Sequence, residues 1–121
     1  MATIDITADT FEDIISKNDI VIVDFWANWC GPCKSFAPIY EQVSQQHDDI
    51  VFGKINTETE QELAGHFQIR SIPTLMIFRE QVVLFSQPGM LNSRQLTDLI
   101  TRVRELDMEK VHAEIKKQTK T

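Results

Sequence analysis

The sequence is poor in cysteine: Cys30 and Cys33 are the only two in 121 residues. That scarcity excludes a scaffold stapled by several disulfides. Glycine and proline number four each, too few for a collagen-like or low-complexity chain. There is no excess of positive charge either. Twelve Lys and Arg stand against 18 Asp and Glu, a net charge of −6, which argues against a nucleic-acid binder working by phosphate neutralisation. No apolar run approaches the length of a membrane-spanning helix. The opening Met1-Ala2-Thr3-Ile4-Asp5-Ile6 lacks the basic n-region and apolar h-region of an export signal. A reducing cytosol is the expected setting, and there a disulfide is usually transient and catalytic.

What is present is an ordinary globular composition, 42% hydrophobic and 25% charged, in a length suited to one domain. Apolar residues mark alternating strands and helices. Thr3 to Ile6 alternates like a short strand, and Thr7 N-caps a helix whose Phe11, Ile14 and Ile15 share a face. Ile20 to Trp26 is apolar on both faces, as a covered central strand is. Phe36, Ile39, Tyr40 and Val43 follow helical spacing, with Pro38 predicted to kink that helix. A strand over 50–56, a short helix over 60–67, strands over 73–78 and 82–86 separated by Arg79-Glu80-Gln81, and a helix carrying Leu96, Leu99, Ile100 and Val103 complete the pattern. Asn92 or Ser93 caps the last helix. The order predicts an α/β fold with a mixed five-stranded sheet and helices on both faces.

The chemistry lies in Trp29-Cys30-Gly31-Pro32-Cys33-Lys34. A CxxC pair that follows a strand and opens a helix places two sulfurs within closing distance, so dithiol and disulfide interconvert without large backbone movement. The bland alternative is an inert bridge, but a loop this short is a poor staple. Another is half of a zinc site. His47, His66 and His112 are the histidines available, and no two have a paired ligand spacing, so no metal is expected.

The run from Val23 to Lys34 followed by Ala37-Pro38, Lys54 within the third strand, Arg70-Ser71-Ile72-Pro73-Thr74 before the fourth and Gly89 after the fifth resemble the thioredoxin family, in matching order over about residues 3–106. The resemblance implies a thioredoxin domain over 1–106 and a protein-disulfide reductase with no cofactor of its own. It would be recharged by an NADPH-dependent flavoprotein, thioredoxin reductase, and would act on disulfide-containing proteins as a cytoplasmic monomer. Cys30, at a positive helix end, is expected to be the nucleophile, with Cys33, more buried, resolving the mixed disulfide. Asp24, the one charge in an apolar strand, should have a raised pKa if buried. By resemblance it exchanges a proton with Cys33, tuned by Lys54; the plainer reading is a strand-end carboxylate paired with Lys54. The resemblance also makes Pro73 cis, where the residues alone favour a trans proline opening a strand. Trp29, Gly31, Pro32, Ser71, Ile72, Pro73 and Gly89, with Met90 beside them, would form a shallow peptide groove. Trp26 is expected to pack under the active-site loop.

The hairpin after Phe78 and Pro88 before Gly89 depart from the family pattern, as does a C-terminal extension over 107–121. Asp107 could cap a fresh helix there, with Leu106 and Val111 as a hydrophobic staple, and packing back on the domain is preferred to a dimer contact. A pure binding or scaffold module has no use for this constellation. A disulfide oxidase or isomerase is disfavoured by Pro32 and by the absent export signal.

Overall fold

The computed structural model of the chain describes residues 2–119. Its centre is β2 (Ile20–Trp26), whose β-branched and aromatic residues supply apolar surface to both sides. Val21, Val23 and Phe25 enter one core with Ile6, Ile15, Ile55, Met76 and Phe78. Ile20 and Ile22 enter the other, with Phe36, Tyr40, Phe52, Leu75, Leu96 and Ile100. The sheet order is β1-β3-β2-β4-β5. β1 (Thr3–Asp5) and β3 (Val51–Asn56) run parallel to β2, while β4 (Thr74–Arg79) and β5 (Val82–Pro88) run as an antiparallel hairpin beside it.

Two helices cover each face. α1 (Ala8–Lys17) and α3 (Gln61–His66) lie on the side where Phe11, Leu63 and Phe67 pack; α2 (Gly31–Ser44) and α4 (Ser93–Glu105) lie on the other. Thr7 caps α1 and Asn92 caps α4, each in a capping box. Pro38 lies inside α2, which continues to Ser44. All parallel strand C-termini, the start of β4 and the end of β5 point to one pole. The CxxC is there, and the β4–β5 hairpin is at the other.

Several boundaries differ from expectation by a residue or two. Arg79 pairs with Val82, so the turn is Glu80-Gln81 alone, with φ of 51° and 68°. These left-handed angles close a two-residue turn without the Asn-Gly that usually signals one. Ile50 precedes the third strand, and the fifth runs on to Pro88 with a register shift between Ile77 and Phe78.

The extension forms α5 (Met108–Thr119), starting afresh because Leu106 is extended (φ −63°, ψ 138°). Asp107 Oδ1 accepts the N–H groups of Glu109 (3.1 Å) and Lys110 (3.3 Å). Leu106, expected in a staple, is left 42% exposed, and Met108, 7% exposed, is the apolar anchor instead. Arg79 Nη1 donates to the Val103 and Leu106 carbonyls (2.8 and 3.2 Å), and His112 Nε2 lies 2.8 Å from Glu80 Oε1. The extension thus packs back on the hairpin pole of its own domain.

Candidate active site

Helix α2 begins where β2 ends, and Cys30 is its N-cap (φ −85°, ψ 111°). Pro32 occupies the first turn, where its missing N–H leaves no helical bond unmade. Cys30 and Cys33 form a disulfide with their Cα atoms 5.2 Å apart. The Cys30 sulfur accepts the Cys33 N–H at 3.1 Å. That amide is one of the unpaired donors of a helix start, so it is placed to stabilise charge on Cys30 when the bridge opens. Cys33 was expected to be the more buried; both are 3% exposed, because the loop bearing Pro73 also covers Cys30.

The covering loop is held by backbone contacts. The Ile72–Pro73 bond is cis. The Ile72 carbonyl oxygen lies 3.7 Å from the Cys30 sulfur, and Gly89 N–H donates to the Pro73 carbonyl at 2.8 Å. Gly89 adopts φ of +101°, a conformation that L side chains rarely reach. Cys30, Ile72, Pro73 and Gly89 are therefore brought together from three separate segments. Trp29, 69% exposed, stands on this surface with exposed Gly31, Pro32 and Ser71, and Met90 is 41% exposed.

Asp24 shares its strand face with Ile20, Ile22 and Trp26, the face that α2 covers, and is 1% exposed. Neither carboxylate oxygen has a hydrogen-bond partner among the described residues. Burial pushes its pKa from the ordinary 3.8 up to about 7, against an opposing pull from Lys54. Lys54 is its register partner on β3, yet its Nζ sits 4.9 Å from the centroid of the Trp26 ring. The pairing of Asp24 with Lys54 by hydrogen bonds is therefore not what the structure contains. Lys54 acts on Asp24 through its field.

Tyr40 does more than fill the core, the role its helical spacing implies. Its hydroxyl lies 3.0 Å from the Ile22 carbonyl and 2.8 Å from that of Gly53, pinning α2 across β2 and β3 beside Asp24. Burial and the nearby Asp24 carboxyl hold its pKa well above the usual range. A signal existed: a lone tyrosine on an apolar helical stripe must find a partner for its hydroxyl.

A disulfide that caps a helix, backed by a buried carboxyl and faced by a cis-proline loop, defines a thiol–disulfide oxidoreductase of the thioredoxin fold. The family model described as thioredoxin matches residues 2–102. The chain is 49% identical over 117 residues to putative thioredoxin 2 of Streptomyces coelicolor, covering 97% of this chain and 87% of that one. That alignment extends into α5. Thioredoxin of Mycoplasmoides gallisepticum is 37% identical over 74% of this chain and 89% of its own. Among solved structures, a mutant thioredoxin from Halobacterium salinarum superposes with a TM-score of 0.80 at 32% identity, covering 88% of this chain and 95% of that chain. The chain belongs to the thioredoxin family, and its Cys30–Cys33 pair is redox-active by dithiol–disulfide exchange.

Proposed function

We propose that the protein is a general protein-disulfide reductase in which Cys30 is the nucleophile and Cys33 the resolving thiol. The observation that carries this reading is the Cys30 sulfur at the N-cap of α2, 3.1 Å from an unpaired helix N–H. In the reduced protein the Cys30 thiolate attacks one sulfur of a partner disulfide. The partner's other sulfur departs as a thiolate and takes up a proton. Cys33 gives its proton to the Asp24 carboxylate and attacks the Cys30 sulfur, releasing the partner's first sulfur and closing the Cys30–Cys33 bond. Two electrons pass to the partner. Asp24 suits the proton step because its pKa of about 7 makes both protonation states accessible near neutral pH, and Lys54 tunes it.

Trp29, Gly31, Pro32, Ser71, Ile72, Pro73 and Gly89 form the surface on which an extended partner segment lies. Thioredoxin reductase, an NADPH-dependent flavoprotein, returns the electrons, and the cytoplasm is the working compartment. A bifunctional thioredoxin reductase/thioredoxin of Mycobacterium leprae is 46% identical over 79 residues, 64% of this chain and 17% of that protein, which joins the two activities in one polypeptide. NADPH consumption with thioredoxin reductase and insulin tests the reading. Turnover is expected in the wild type and lost in Cys33→Ser, which should accumulate a mixed disulfide through Cys30. Absence of turnover in the wild type would shift the reading to a binding module for a dedicated partner.

A further inference from the structure

The charge of the chain is divided around the active site. Three segments wall the CxxC: residues 27–40, from the end of β2 into α2; 67–78, through the Pro73 loop into β4; and 86–97, from β5 into α4. They contain Lys34, Arg70 and Arg94 and no Asp or Glu, although the chain as a whole is −6. All three cations are exposed. Lys34 directly follows Cys33 in the first turn of α2, and Arg94 lies in the first turn of α4, five positions after Gly89. Arg70 is two residues from Ile72, whose carbonyl approaches the Cys30 sulfur.

Acidic residues collect across the sheet from these segments. Asp5, at the end of β1, and Glu60 line one cleft with Lys54 of β3, and Glu58, Glu60 and Glu62 line the next with Ala8, which Asp9 follows in the first turn of α1. The nearest acid on α4 is Asp98, one turn past Arg94. Glu60 is also engaged, its Oε1 accepting the Ala8 N–H at 2.8 Å. A cleft of about 160 Å³ adjoins the Pro73 loop, lined by Phe67, Arg70, Ser71, Thr74 and Pro88. It has room for one short side chain beside Arg70.

Resting on the reductase reading, we infer that the groove selects disulfides flanked by Asp or Glu side chains on the part of the partner that lies over the β4–β5 side. Lys34, Arg70 and Arg94 are the specificity-determining residues. Like-charged partner segments are repelled there, and acidic ones are steered in. Exposed charges act chiefly on encounter, so the preference belongs in the rate of the first exchange step and fades with salt.

Two synthetic peptides with the same disulfide loop, one flanked by Glu and one by Lys, provide the test with the full-length reduced protein. Initial rates are read by acid quench and chromatography at about 20 mM and about 500 mM salt, ionic strengths that span weak to strong screening. The Glu peptide should react roughly tenfold faster at low salt, the scale of electrostatic steering, with the ratio shrinking at high salt. The combined variant Lys34→Gln, Arg70→Gln, Arg94→Gln should bring the ratio close to one. The charge-keeping set Lys34→Arg, Arg70→Lys, Arg94→Lys should retain it, separating charge from any loss of fold. Equal rates for the two peptides in the wild type, or a preference indifferent to salt and to the Gln variant, would overturn the inference while leaving the reductase reading intact. Reduction of neither peptide would overturn that reading, and the inference with it.

Discussion

At the scale of single residues, Asp24 sets the strongest pH dependence. A carboxyl sealed in the sheet with no hydrogen-bond partner among the described residues is disfavoured in its charged form. Below pH 3.8 the group is protonated both folded and unfolded. Between there and about 7 only the unfolded chain ionises, so unfolding releases a proton and stability falls as pH rises. The loss is complete once the folded form ionises too, at about 4 kcal/mol in total. Denaturant titrations of the oxidised protein at several pH values should show this decline, and Asp24→Ala should flatten it, leaving the variant more stable than wild type above pH 7. The same residue carries the kinetic prediction. Asp24→Asn should fold and yet turn over about 10²-fold more slowly at neutral pH, the usual scale of a lost general acid–base group; an unchanged rate in the insulin assay would remove Asp24 from the mechanism. The sequence left the burial of Asp24 conditional, since a carboxylate near the end of an apolar strand can also turn to solvent; the cover of α2 over that strand face decides it. The position of the Lys54 ammonium was not legible either. Sequence placed it beside Asp24 but could not weigh an ion pair against stacking on Trp26, which depends on rotamers across two strands. The equal burial of Cys30 and Cys33 was hidden for a related reason, because the cover over Cys30 comes from a loop forty residues away.

Elements were read more securely where a hydrophobic period ran long. β2 matched its expected limits because its apolar surface is continuous and serves two cores. The β4–β5 turn is one residue shorter than the sequence implies because Glu80 and Gln81 hold left-handed angles that neither side chain favours. Gln81→Gly should relieve that cost and stabilise the protein by about 1 kcal/mol, net of the extra freedom glycine gives the unfolded chain. Thermal melts would show it as a raised midpoint. The opposite holds in β3. Gly53 lies between β1 and β2, and a Cβ there would overlap Ile6 Cδ1 in the packed core. Gly53→Ala should therefore cost about 1–3 kcal/mol, as overpacking does.

For the molecule as a whole, α5 lies far from the chemistry. The Arg79 bonds to the end of α4 and the His112–Glu80 contact tie it to the hairpin pole, and it buries Met108. The exposed His112–Glu80 contact adds little, so the burial of Met108 and half-buried Val111 dominates. Ending the chain after Leu106 should lower stability by about 2–3 kcal/mol and leave insulin reduction within about twofold of the full chain, the outcome that tests a division between residues 1–106 and the extension. The helix was foreseeable from Asp107 and its apolar stripe, but not which surface it would meet, since that choice rests on Arg79 in a distant strand.

The two borders of the sheet also bear on how the protein behaves among its own copies. β1 offers only three residues, and its neighbouring Ala2 N–H and Thr3 hydroxyl are already taken by Glu41. β5 is broken by its register shift and closes on Pro88, which has no N–H to give. Neither rim presents a long, flat row of backbone groups onto which another chain could crystallise a ribbon. Crowding many copies together should yield a clear solution and no fibres.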